Sequence, residues 1–128
     1  MQKIQLIFIV GCGGFIGAAL RYLISINAAK IFGPNFPYGT LIANILGAII
    51  IGLVMRLSLD TAIISPNIKL FLTTGMMGGL TTFSTFSYET VSMLNSGEYM
   101  LGVLNLGLNI VFSFIGVVIG MSIAKLLV

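Results

Sequence analysis

Four long apolar stretches dominate this sequence, at residues 4–26, 38–57, 68–94 and 99–127. A helix that crosses a bilayer needs roughly 20 mostly apolar residues, and each stretch supplies about that many. The expected fold class is all-α integral membrane, with four transmembrane helices in one domain over residues 1–128. Charge agrees with this. Charged residues make up 7% of the chain and hydrophobic ones 58%, whereas a soluble domain carries roughly a quarter charged residues. So few charges could not keep a water-facing surface soluble. The net charge of +3 comes from bases scattered singly, so no nucleic-acid patch forms.

Turn chemistry separates the stretches. Gly33-Pro34-Asn35-Phe36-Pro37, Ser65-Pro66-Asn67 and Asn95-Ser96-Gly97-Glu98 read as loops or helix starts. The N-terminal run Ile9-Val10-Gly11-Cys12 is similar to a lipoprotein cleavage box, but the chain stays apolar and glycine-rich to Leu20. The first segment is therefore read as a retained helix.

The third stretch is irregular. Gly75, Gly78 and Gly79 are followed by Thr81, Thr82, Ser84, Thr85 and Ser87. This predicts a break within 75–82 with a half-helix on each side. Non-helical backbone at membrane depth persists only where protein or a water-filled cavity covers it, and ion sites are often built at such breaks. Small residues also recur at spacing four: Gly13 and Gly17, Gly14 and Ala18, Ala43 and Gly47, Ala48 and Gly52, Gly116 and Gly120. That spacing lets helix backbones approach closely.

Several chemistries are excluded or unsupported. One cysteine, Cys12, and no histidine leave no intrachain disulfide and no Cys/His metal cluster. The acids are Asp60, Glu89 and Glu98, and no phosphate loop or carboxylate pair accompanies them, so no enzyme activity is expected. The polar residues inside the stretches say more. Asn44 sits mid-segment, while Asn105, Asn109 and Ser113 follow at spacing four and share one helical face. They serve either as interhelical hydrogen-bond glue or, with the hydroxyls of the third stretch, as a polar track. Phe83 and Phe86 also share a face, set among hydroxyls. The positive edge of a phenyl ring attracts an anion weakly, and conduction needs weak binding. Glu89 follows this stretch. Arg21, near the end of the first, either serves function or snorkels to headgroups.

With four spans, Lys3, Arg56, Lys69 and Lys125 fall on one side of the membrane, against Arg21 and Lys30 on the other. That is a small bias under the positive-inside rule, and such a chain could insert both ways.

Three motifs carry a family resemblance: Gly14-x-x-Gly17-x-x-x-Arg21; Pro37-x-Gly39-Thr40-x-x-x-Asn44-x-x-Gly47; and Gly75-x-x-Gly78-Gly79-x-Thr81-Thr82-Phe83-Ser84-Thr85-Phe86-Ser87-x-Glu89. On these the chain resembles the bacterial fluoride channels called Fluc or CrcB. The resemblance implies an antiparallel, dual-topology homodimer in the bacterial cytoplasmic (inner) membrane, with two pores that export fluoride and protect the cell from its toxicity. Phe83 and Phe86 match pore rings, and Asn44 matches the pore asparagine. Ser84, Thr85, Thr40 and Ser113 would supply hydroxyls, Asn109 would join the path, and Glu89 matches a glutamate near it. Arg21 matches a vestibule arginine. A structural Na⁺ at the dimer centre would be held by backbone carbonyls at Gly78 and Thr81. The family tends to place Tyr or Ser where this chain has Asn105 and Asn109. The rival reading is a small dual-topology, proton-coupled multidrug exporter. Such exporters need a carboxylate in the first helix, where this chain has Arg21 and no acid.

Overall fold

A computed structural model describes all 128 residues and contains helices only. Helix α1 spans Gln2–Phe32 and α2 spans Tyr38–Asp60. The next region is divided. A short α3, Pro66–Leu70, runs into a π-helical segment, Phe71–Met77, and then a single turn of α-helix, α4, Gly78–Leu80. Thr81 and Thr82 are extended, and α5 resumes over Phe83–Asn95. Helix α6 covers Tyr99–Leu127. Three helices, α1, α2 and α6, are long and apolar enough to cross a membrane.

Local chemistry explains the boundaries. α1 stops where Gly33 takes a positive φ of 84°, a conformation open to glycine. Ser65 caps α3, its side chain accepting the Ile68 N–H, with Pro66 in the first turn. Gly97, also at φ 84°, turns the chain from α5 into α6.

α2 runs three residues past 57 to Asp60 and the third region starts at Pro66 instead of 68; two further differences bear on the site. α1 runs past residue 26 to Phe32, because Ala28, Ala29 and Lys30 are good helix formers and only Gly33 ends the run. Arg21 therefore lies inside the helix, roughly 16 Å of rise before its end. The break is also narrower than 75–82. The backbone stays helical through Leu80 by widening into the π segment, and only Thr81 and Thr82 leave helical conformation.

Small residues set the packing. α1 lies against the π segment and α4, with Gly13 and Gly17 both buried there. A Cβ on Gly17 would collide with the Met76 carbonyl, and one on Gly120 with that of Ile49. α2 packs most extensively on α6 and α5 also packs on α6. A compact cluster of Ala43, Met77 and Leu80 joins α2 to the region before the break. Only 22 of 128 residues are buried, so most apolar side chains face outward and require an apolar surrounding or another chain.

Candidate functional site: a polar groove at the helix break

The break is held open by a side chain. In a continuous helix the Thr82 N–H would donate to the Gly78 carbonyl. Here it donates to Asn44 Oδ1 at 2.8 Å. Asn44 Nδ2 in turn donates to the Thr82 carbonyl at 3.3 Å, so one carboxamide replaces two backbone partners. Thr82 also caps α5: its Oγ1 accepts the Thr85 N–H at 3.2 Å. The Thr81 hydroxyl donates back to the Met77 carbonyl at 2.8 Å and closes the preceding turn.

The two helix ends left at the break have opposite polarity. The last turn before it exposes carbonyls, the negative end of the dipole, and α5 begins with unpaired N–H groups, the positive end. Gly78 has lost its helical donor to Asn44, and the Gly79 carbonyl accepts from Arg21 Nε at 3.0 Å. One side of the break suits a cation and the other an anion.

A groove of about 380 Å³ opens at the break between α2, α5 and α6. Asn44, Thr81, Thr82, Asn109 and Ser113 provide its polar lining, and Phe83 and Phe86 form one wall. The two rings meet edge to face, with centroids 5.5 Å apart. Within the chain Phe83 is 80% exposed and Phe86 only 4%.

Of the remaining residues singled out by sequence, Thr40 lies one turn before Asn44 on the same face of α2 and donates to Glu89 Oε1 at 2.8 Å. The other carboxylate oxygen, Glu89 Oε2, is buried without a hydrogen-bond partner. This pair lies outside the groove lining and extends its polar face along α2. Thr85 contacts Thr82 rather than the groove, and Ser84 is exposed beside it. Arg21 approaches the break through Gly79 from the α1 side.

Neither Thr82 nor Thr90 is among the site residues expected from sequence. Thr82 is the joint of the whole site, yet in sequence it is one hydroxyl in a run of them. Thr90 is buried and accepts from Asn105 Nδ2 at 2.9 Å. Its signal was its place one turn after Phe86, on the same face.

Comparison with known proteins places this geometry in context. The family model described as CrcB-like protein, Camphor Resistance (CrcB), matches residues 8–121. A Clostridium perfringens protein named fluoride-specific ion channel FluC is 66% identical over 127 residues, covering 99% of each chain. A Clostridium novyi protein of the same name is 61% identical over 126 residues, covering 98% of each. One from Aquifex aeolicus is 44% identical over 123 residues, covering 91% of this chain and 98% of the relative.

Proposed function

This chain belongs to the CrcB family, and from that premise we propose that it is a fluoride-selective channel of the bacterial inner membrane. It lets cytoplasmic fluoride leave down its electrochemical gradient and so protects the cell. The observation that carries this reading is the groove at the break. There amide and hydroxyl donors, phenyl edges and the N-terminal end of α5 converge on one path.

Fluoride is small and strongly hydrated, so entering a narrow path costs much of its shell. Donors from Asn44, Ser113 and the first N–H groups of α5 replace part of that shell, while the Phe83 and Phe86 edges hold the ion weakly enough to release it. Chloride is larger and fits the same donors less well. Thr40 and Glu89 continue the polar face of α2 beyond the groove. Arg21, at the far side of the break, adds positive potential along the approach.

In this reading the region 66–95 is a fourth, broken span, and the chain pairs with an antiparallel copy. Exposed Phe83 supports that assembly, because a lone chain leaves one side of the groove uncovered. Two copies give two pores. The carbonyls released before the break fit a hard cation, which prefers oxygen ligands. Gly78 and Thr81 of both copies would hold Na⁺ there, and the ion would supply a fixed positive charge at the dimer centre. The exporter reading has no support in α1, whose ionisable side chains are Lys3, Cys12, Arg21, Tyr22 and Lys30, none of them acidic.

The test is efflux from liposomes holding the purified protein, read in parallel with fluoride and chloride electrodes. Rapid fluoride release with chloride retained is the expected result. Equal release of both ions, or of neither, would defeat the reading.

A further inference from the structure

A chain of side-chain hydrogen bonds runs from two residues of the groove lining, Asn44 and Asn109, back to Asn105 and Thr90, which do not line it. Asn44 Nδ2 donates to Asn109 Oδ1 at 2.9 Å. Asn109 Nδ2 donates to Asn105 Oδ1 at 3.0 Å and to the Asn105 carbonyl at 2.9 Å. Asn105 Nδ2 donates to Thr90 Oγ1 at 2.9 Å, and the Thr90 hydroxyl donates to the Phe86 carbonyl at 2.8 Å. Asn105, Asn109 and Thr90 are 0%, 4% and 7% exposed.

The direction of this chain is fixed at its ends. The Thr82 N–H can only donate, which forces Oδ1 of Asn44 toward it and Nδ2 away. The carbonyls of Asn105 and Phe86 can only accept, which orients Asn109 and Thr90. No amide in the series can flip without leaving a backbone group or a buried neighbour unpaired, at a cost typical of buried unsatisfied polar groups. The Asn44 carboxamide is thus clamped by two short bonds. Its second amide hydrogen reaches the Thr82 carbonyl only at 3.3 Å, the longest contact of the set. That weakly held hydrogen belongs to a residue that lines the groove.

We propose that Asn105 and Thr90 are positioning residues for the anion path, holding Asn109 and through it the Asn44 carboxamide so that one amide hydrogen stays available to the passing ion. The inference rests on the channel reading. Neither residue lines the groove, so each acts only through its partners. The same pair ties α5 to α6, which sets where Phe86 stands relative to Asn44.

The experiment is fluoride current through single channels of the full-length protein in planar bilayers, for Thr90→Val, Asn105→Leu and Thr90→Ser. Valine and leucine keep the volume and remove the hydrogen-bonding groups, and serine restores the hydroxyl. Unitary current separates positioning from stability, because a merely structural defect lowers the number of active channels and leaves the current of each unchanged. Expected are a tenfold or greater drop in unitary current for Thr90→Val and Asn105→Leu, and recovery to within about twofold for Thr90→Ser. Unitary currents equal to the unmodified channel in both apolar variants would overturn the inference. So would loss of soluble, monodisperse protein in both while Thr90→Ser behaves normally, since the pair would then be structural only. Absence of fluoride current from the unmodified protein defeats the channel reading itself and takes this inference with it.

Discussion

Thr82 and Asn44 lie 38 residues apart, yet they exchange two hydrogen bonds, N–H to Oδ1 at 2.8 Å and Nδ2 to carbonyl at 3.3 Å. This exchange satisfies Thr82, the second of the two extended residues between α4 and α5, and makes the break a fixed feature of the fold. Asn44→Leu leaves the Thr82 N–H without its partner, which should cost about 1–3 kcal/mol and lower the unfolding midpoint in detergent. Asn44→Asp keeps the acceptor for Thr82 but loses the donor to Asn109 and adds a negative charge to the groove. It should hold the break and abolish fluoride efflux. Efflux at the unmodified rate from Asn44→Asp would remove Asn44 from the path.

The two phenylalanines separate stability from conduction. Phe83 is exposed in the single chain and Phe86 is buried. Phe86→Ala should destabilise by about 3–5 kcal/mol through the cavity it leaves. Phe83→Ile keeps bulk but lacks the ring quadrupole, so it should leave the chain folded and sharply slow fluoride flux. Phe83→Met, polarizable and adaptable, should be milder. Efflux read beside a size-exclusion profile checks both. Normal flux through Phe83→Ile would mean that the ring does not conduct.

A broken helix between residues 66 and 95 is legible in the sequence, because glycine and hydroxyl clusters are local properties and weaken a helix wherever they occur. Three of the four apolar stretches also stand as long, continuous helices. What stayed hidden depends on packing. The π segment at Phe71–Met77 has no compositional mark and forms where α1 crosses at Gly13 and Gly17. An apolar run ends at residue 26, before the polar Asn27, whereas helix propensity carries α1 on to Gly33. Spacing places Asn105 and Asn109 on one face, but only the fold shows that Thr90 and Asn44 meet that face from α5 and α2.

Glycine substitutions should divide by location. At Gly17 a Cβ would meet the Met76 carbonyl, and at Gly120 the Ile49 carbonyl, both backbone atoms that cannot step aside. Gly17→Ala and Gly120→Ala should push helices apart and cut the yield of folded protein. At Gly107 nothing lies within 4 Å of the added atom. Gly107→Ala should be neutral or slightly stabilising, since alanine costs less backbone entropy in a helix than glycine. Thermal unfolding in detergent, followed by circular dichroism, would rank the three. A destabilised Gly107→Ala would point to a second chain packed on that face.

Membrane orientation gives the last prediction. With the proposed four spans, the side that carries Lys3, Arg56, Lys69 and Lys125 faces a side left with Lys30, because Arg21 lies inside α1 and donates to the Gly79 carbonyl instead of standing at a helix end. Counted by Lys and Arg near the ends of the spans, this bias is larger than the sequence implies. An antiparallel dimer still needs copies in both orientations. A single lysine introduced on the poorer side, as Asn35→Lys or Ser96→Lys, should therefore shift the ratio measurably. Cys12 is exposed and must first be replaced by serine. A cysteine added after Val128 can then be labelled with an impermeant maleimide, in intact cells and after permeabilisation. Labelling of a substantial fraction from outside is expected for the unmodified sequence, with that fraction changed by the added lysine. Labelling only after permeabilisation, unaltered by Asn35→Lys, would mean that the chain inserts one way and that the partner completing the groove is not an inverted copy.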